Sequence, residues 1–273
     1  MPLILWFLKP LRDVRTIALC AALASWLSGV AQAQMTEVDL ELVLLVDVSR
    51  SMSEAELELQ RRGYAEALSS DEVFKAVQSG LLQNVALTYV EWAGSQQIVV
   101  DWRIIQTKAD LNDFARQLTV KFDPALRRTS ISNALAFATD HFDTNQVRGL
   151  RRVIDISGDG PNNQGRAVLL ARSEVLGRGI IINGLPLMTQ DALSLRWGIP
   201  DLDVYYAECV IGGPGSFMIP VLRWEEFEPA IKRKLILEIA DSAPRASITR
   251  ASGYDCLVGE KIWRRNMEYW YEP

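Results

Sequence analysis

The chain has 273 residues and carries 29 Lys and Arg against 34 Asp and Glu, a net charge of -5. That balance lacks the basic excess that a nucleic-acid-binding face needs, and 49% hydrophobic with 23% charged residues is ordinary for a globular protein. One histidine (His141) and three cysteines (Cys20, Cys209, Cys256) almost exclude a four-ligand Cys/His zinc site, as they do the H-E-x-x-H pattern, which leaves chemistry done with Asp, Glu, Ser, Thr and hard metals.

Residues 16–31 (TIALCAALASWLSGVA) form an uncharged, mostly apolar run behind Lys9, Arg12 and Arg15. Ala31-Gln32-Ala33 follows, with small residues at both cleavage-defining positions. The pattern predicts a secretory signal peptide over 1–33, cut before Gln34. The run is short for a membrane span, which needs about 20 apolar residues; an uncleaved anchor is the alternative. Cleavage removes Lys9, Arg12, Arg15 and Asp13 and leaves 26 basic and 33 acidic residues, a net charge of -7. It also removes Cys20. Two cysteines in an exported chain, Cys209 and Cys256, most simply form a disulfide, and two free thiols are the alternative. A bridge across that separation contributes about 4 kcal/mol in the loop-entropy model.

In the mature chain, residues 39–46 (DLELVLLV) read as a strand buried on both faces and ending at Asp47. A polar helix is expected at about 54–69, with Ser53 and Glu56 spaced for a capping box. Residues 84–92 and 97–105 read as strands of a hairpin. Leu111, Phe114, Ala115 and Leu118 mark one helix face, and Ile131, Ala134, Leu135, Ala138 and Phe142 mark another. A short strand is expected at 152–156, a helix at 166–177, a strand at 180–182 and a last strand near 216–222. Phe227, Ile231, Leu235 and Ile239 mark a final amphipathic helix. Strands alternating with helices predict a doubly wound α/β fold: a mostly parallel sheet, one antiparallel edge strand, helices on both faces. The main domain is expected over 34–243. Residues 244–273 form a tail with Trp263, Tyr269, Trp270 and Tyr271, whose rings should pack on the body with Cys256 pinning them.

Ligands of open α/β sheets bind at the carboxyl ends of strands. Three loops there hold matched groups: Asp47-Val48-Ser49-Arg50-Ser51, Arg128-Thr129-Ser130, and Gly158-Asp159-Gly160. Alternation along an extended segment could aim Asp47, Ser49 and Ser51 one way. Two carboxylates and three hydroxyls make an all-oxygen set, which suits a hard divalent cation.

On these residues the chain resembles von Willebrand factor A domains and their metal-ion-dependent adhesion site, over about residues 39–240. More narrowly it is similar to a group of exported bacterial A-domain-like proteins of unknown function, through VIDISGDGPNN (153–163), ECVIGGPGSF (208–217) and KRKLILEIA (232–240). The resemblance implies a metal site of Asp47, Ser49, Ser51, Thr129 and Asp159. Ser49, Ser51 and Thr129 would offer hydroxyls, directly or through water. Asp47 and Asp159 would lie against the ion or one hydrogen bond behind it. It implies Mg²⁺, with Mn²⁺ or Ca²⁺ as alternatives, and one coordination position left open for an Asp or Glu carboxylate of a protein partner. Arg127 and Arg128 beside Thr129 could attract that acid. Arg148, Arg151 and Arg152 enter their strand from the far end and should not contribute.

Other polar residues have plainer readings. Asp155, between Ile154 and Ile156, should be buried and paired or protonated. A structural ion pair is expected there, with a catalytic acid as the alternative. His141 reads as a surface or helix-end histidine. Gly212–Ser216 is glycine-rich, but no Gly-Lys-Ser/Thr occurs and no helix clearly starts there, so it reads as a tight turn. Asn162 and Asn163 could line the pocket rim or serve a turn.

Three functions compete. The leading one is a non-enzymatic, periplasmic or secreted module that grips an acidic partner through a bound cation, with no membrane span after cleavage. The second is a metal-assisted phosphate-ester hydrolase. It lacks the second Asp of a D-x-D pattern, a Gly-x-Ser-x-Gly elbow and a histidine placed as base. The third is a metal-free structural or assembly component.

Overall fold

The computed structural model describes residues 35–118, 128–189, 198–242 and 253–271. The expected signal segment 1–33 and Arg127 lie outside the described residues. Five strands, β1 (Thr36–Asp47), β2 (Val85–Trp92), β3 (Gln96–Ile105), β4 (Val147–Gly158) and β5 (Ile181–Pro186), form one sheet in the order β3-β2-β1-β4-β5. All neighbours are parallel except the β2–β3 hairpin. The helices are α1 (Glu54–Leu68), α2 (Asp71–Gln78), α3 (Lys108–Leu118), α4 (Ile131–His141), α5 (Val168–Gly177), α6 (Leu202–Tyr205), α7 (Phe227–Ile239) and α8 (Val258–Tyr271).

The central strand shows why its sequence reads as an unbroken apolar run. Leu40, Leu42, Leu44 and Val46 join the core under α1, α2, α3 and α7, while Val43 and Leu45 join the core under α4 and α5. A strand covered on both faces has no wet side on which to place polar residues. The edge strand β3 alternates in exposure instead. The expected helix faces hold: Leu111, Phe114, Ala115 and Leu118, then Ile131, Ala134, Leu135 and Ala138, then Phe227, Ile231, Leu235 and Ile239 are all buried. The capping box at Ser53 and Glu56 starts α1.

Four expectations change. The strand near 216–222 does not form. Met218 and Val221 make only isolated bridges to Gly184 and Leu187, because Pro220 between them offers no N–H to a continuous ladder. Helix α2 was not expected at all. It is eight residues long, opened by the Ser70 hydroxyl accepting from Val73 N–H. The strand around 152–156 extends over Val147–Gly158. His141 ends α4, as one reading had it, but is buried rather than on the surface. Its ring stacks on Trp102 and Phe137, its Nε2 meets Thr88 Oγ1 at 3.2 Å and its Nδ1 meets Thr144 Oγ1 at 3.1 Å. Burial lowers its pKa, so the neutral ring is favoured there.

The tail is an element in its own right. Cys209 and Cys256 form a disulfide with Cα atoms 5.6 Å apart, and helix α8 follows. Tyr254 packs edge-on against Tyr205. Among the described residues, no helix is long and apolar enough to cross a membrane.

Candidate functional site

Alternation along the strands sorts the polar residues at the carboxyl edge of the sheet between its two faces. Asp47 ends β1 on the α4–α5 side, opposite Trp92 of β2 in register. Its Oδ1 accepts from Ser49 N–H at 2.7 Å, which curls the chain after the strand. Ser49 Oγ meets Ser51 Oγ at 2.9 Å, and Ser51 Oγ donates to Asp159 Oδ1 at 2.8 Å. Asp47, Ser49, Ser51 and Asp159 are thus joined by one chain of hydrogen bonds between the β1 and β4 loops, although Ser51 and Asp159 are 108 residues apart.

Thr129 lies on the third loop. Its N–H donates to Asn163 Oδ1 at 3.0 Å, and its carbonyl accepts from Asn163 N–H at 2.9 Å. The Thr129 loop is therefore tied to the loop that carries Asp159, and Thr129 is buried. Ser130 N–H donates to the Ala93 carbonyl beyond β2, so the same loop is anchored on both sides. Arg128 holds a left-handed φ of 71°, rare for a residue with a β-carbon. Its guanidinium lies 5.3 Å over the Trp263 ring of α8.

The electrostatics follow from burial. The Asp47 carboxyl is fully buried, and its pKa is pushed well above the carboxylate range by desolvation and then by the nearby Asp159 charge, against the pull of the Ser49 hydrogen bond. Asp47 Oδ2 has no hydrogen-bond partner. Two carboxylates this close favour a positive charge between or beside them, either a proton or a cation. The available donors are carboxylate and hydroxyl oxygens, the set that hard divalent cations take. Among the described residues no three His, Cys, Asp or Glu side chains gather, so hydroxyls must supply the rest of any coordination here.

Sequence reasoning left Gln60 and Glu260 without a role and Asn162 between a pocket rim and a turn. Asn162 accepts from Ser132 N–H through Oδ1 and donates through Nδ2 to Glu260 of α8 at 2.7 Å. Its N–H donates to the Tyr205 hydroxyl. Gln60 Nε2 donates to the Asp47 carbonyl at 2.9 Å, fixing the strand end from α1. The doublet Asn162-Asn163 was a visible signal. Glu260 and Gln60 were not, because nothing local pairs them with the site. Asp155 faces the opposite side of the sheet, in an ion pair with Lys234 at 2.6 Å, so the structural reading of that carboxylate holds. Arg151 donates to the Glu238 and Ile239 carbonyls, well away from the loops, as expected. Gly212–Ser216 is a turn with left-handed Gly213 and Gly215.

A five-stranded sheet with one antiparallel edge and helices on both faces is a von Willebrand factor A-like fold. Residues 37–243 match the family described as "Protein of unknown function (DUF1194)", and the chain belongs to that family. Solved structures of similar fold include proximal thread matrix protein 1 from the mussel byssus, with TM-score 0.55 and 12% identity, covering 75% of this chain and 48% of that one. A second structure of the mussel protein, with a zinc-occupied MIDAS motif, has TM-score 0.53 and 13% identity and covers 74% and 46%. The pilus adhesin SpaC from Lactobacillus rhamnosus GG has TM-score 0.57 and 10% identity and covers 75% and 31%. The chain spans under half the length of the mussel protein and under a third of the adhesin, and at these identities the likeness is one of fold. No curated protein matches the chain in sequence.

Proposed function

We propose that this protein is an exported binding module that holds a divalent cation at the carboxyl edge of its sheet and uses it to grip an acidic side chain of a protein partner. The observation behind this reading is the hydrogen-bonded series Asp47–Ser49–Ser51–Asp159 joining two loops, with Asp47 Oδ2 buried and unpartnered at its root. Ser49, Ser51 and Thr129 would offer hydroxyls, and Asp47 and Asp159 carboxylates. Mg²⁺ or Mn²⁺ suits such a set, and Ca²⁺ shares the same oxygen chemistry. An ion held largely by neutral hydroxyls keeps much of its charge, so an incoming Asp or Glu carboxylate gains from it. Arg50 and Arg128 are exposed beside the loops and add positive potential on that face. The fold neighbours include a protein with a zinc-occupied MIDAS motif and a pilus adhesin, which supports this use of the fold.

Export is supported by the apolar run at 16–31 with its Ala31-Gln32-Ala33 end, and by the Cys209–Cys256 disulfide, a bond that persists in oxidising compartments. Both features fit a periplasmic or secreted protein.

The test is metal binding to the purified protein after stripping with chelator, read by calorimetry and thermal melting, with Asp159→Ala beside it. Mg²⁺ or Mn²⁺ at a hundred times its dissociation constant should stabilise the parent by about 2.7 kcal/mol. The variant should gain nothing. A parent that neither binds nor responds to either ion would sink the proposal.

A further inference from the structure

Three side chains converge on Gly158 at the end of β4. A β-carbon there would sit 2.8 Å from Asp47 Oδ2, 3.0 Å from the Tyr206 hydroxyl and 3.1 Å from Trp92 Cζ2. Glycine is required because the side chains of Asp47 and Tyr206 occupy the space a β-carbon would fill. Gly184, on the neighbouring β5, has the same relation to the tyrosine ring: a β-carbon there would meet Tyr206 Cδ1 at 2.6 Å. Two glycines on adjacent strands thus open a slot in the sheet face, and the slot leads the Tyr206 hydroxyl toward Asp47.

The polar atoms in that slot are the anomaly. Tyr206 is fully buried, and neither its hydroxyl nor Asp47 Oδ2 has a hydrogen-bond partner. A buried hydroxyl with no partner costs about 1–3 kcal/mol, and phenylalanine would fill the same slot without that cost. Both atoms lie within about 3 Å of one point, which sets them no more than about 6 Å apart, within reach of a direct hydrogen bond after a side-chain rotation or of one bridging water. A tyrosine O–H can donate to a carboxylate oxygen.

The backbone that delivers Tyr206 is also unusual. Tyr206 opens a π-helical turn, Tyr206–Val210, directly after α6. Such turns are rare and frequently mark functional sites. The disulfide fastens this turn through Cys209 to Cys256, two residues before α8.

We propose that Tyr206 is a positioning residue for Asp47: its hydroxyl donates to Asp47 Oδ2, directly or through one water, and holds that carboxylate in the orientation in which the loops bind a divalent cation. The inference rests on the metal reading above and adds to it a residue outside the Asp-x-Ser-x-Ser, Thr and Asp-Gly segments. Partners that orient metal-site groups from behind typically change metal affinity 10–100-fold when removed.

The test is a calorimetric titration of the chelator-stripped, full-length protein with MnCl₂, comparing the parent with Tyr206→Phe. The variant should bind Mn²⁺ at least tenfold more weakly while its circular dichroism stays that of the folded parent. A ring that merely packs would leave affinity untouched. Mn²⁺ should also change the near-UV tyrosine absorbance of the parent, and that change should vanish in Tyr206→Phe. Parent-like affinity in the variant overturns the role of Tyr206 and leaves the metal site standing. No tyrosine change in a parent that binds Mn²⁺ overturns it equally, whether or not the variant folds. A parent that binds no Mn²⁺ overturns the metal reading and this inference together.

Discussion

Lys234 of α7 stands between two buried carboxylates, Asp155 of β4 at 2.6 Å and Glu238 one turn further along its own helix. Glu238 also accepts from Asn183 Nδ2 of β5 at 2.9 Å, and Tyr64 of α1 faces the same cluster. One lysine cannot neutralise both acids. Burial, then the Asp155 charge, push the Glu238 carboxyl up to about 7. A group whose folded pKa is raised contributes stability that is complete below its unfolded value, near 4.5, and is lost as pH rises through about 7. The change amounts to roughly 3 kcal/mol at most. Urea melts should therefore show stability falling between pH 5 and pH 8, and Glu238→Gln should reduce that slope. A slope that survives the substitution would place the titration elsewhere.

Helix α1 begins just beyond the Asp47–Ser51 loop, and its first turn limits how that loop can move. Ser53 Oγ accepts from Glu56 N–H, while Glu56 Oε2 accepts from Ser53 N–H at 2.7 Å. Glu56 also holds the Trp224 indole N–H, tying the helix start to the segment before α7. Ser53→Ala should cost about 1 kcal/mol and lower the melting temperature by about 2–4 °C. Metal affinity should change little, since Ser53 offers no group to the site. A large loss of affinity would show that the cap sets the loop geometry as well as the stability of the helix.

At the scale of the whole molecule, the disulfide joins two regions that reach the site from different sides. Cys209 lies on the π turn that presents Tyr206, and Cys256 leads into α8, whose Glu260 and Trp263 meet Asn162 and Arg128. Gly259 packs directly on the Asn162 carbonyl, with no room for a β-carbon. Replacing both cysteines by serine should cost about 2–4 kcal/mol in unfolding free energy. It should also expose residues 253–271 to limited proteolysis and weaken Mn²⁺ binding. Retained protection of that segment would mean that the contacts of α8 suffice without the bond.

Much of the architecture is legible in the chain because burial on two faces writes itself as continuous apolar runs, and burial on one face as helical periodicity. Residues 39–46 and the faces at 111–118, 131–142 and 227–239 carry those signals locally. The order Asp-x-Ser-x-Ser, Thr129, Asp159 is local too, since each group sits on a loop named by its neighbours. The tertiary structure alone decided the rest. Residues 216–222 look like a strand, but Pro220 in their middle denies the ladder a donor. His141 looks exposed on an amphipathic helix, yet β3 delivers Trp102 to cover it. The Lys234–Asp155 ion pair, the Asn162–Glu260 bond and the approach of Tyr206 to Asp47 join residues 79, 98 and 159 positions apart. No periodicity encodes such pairings, because they arise only when the crossovers of a 3-2-1-4-5 sheet bring distant strand ends to one edge.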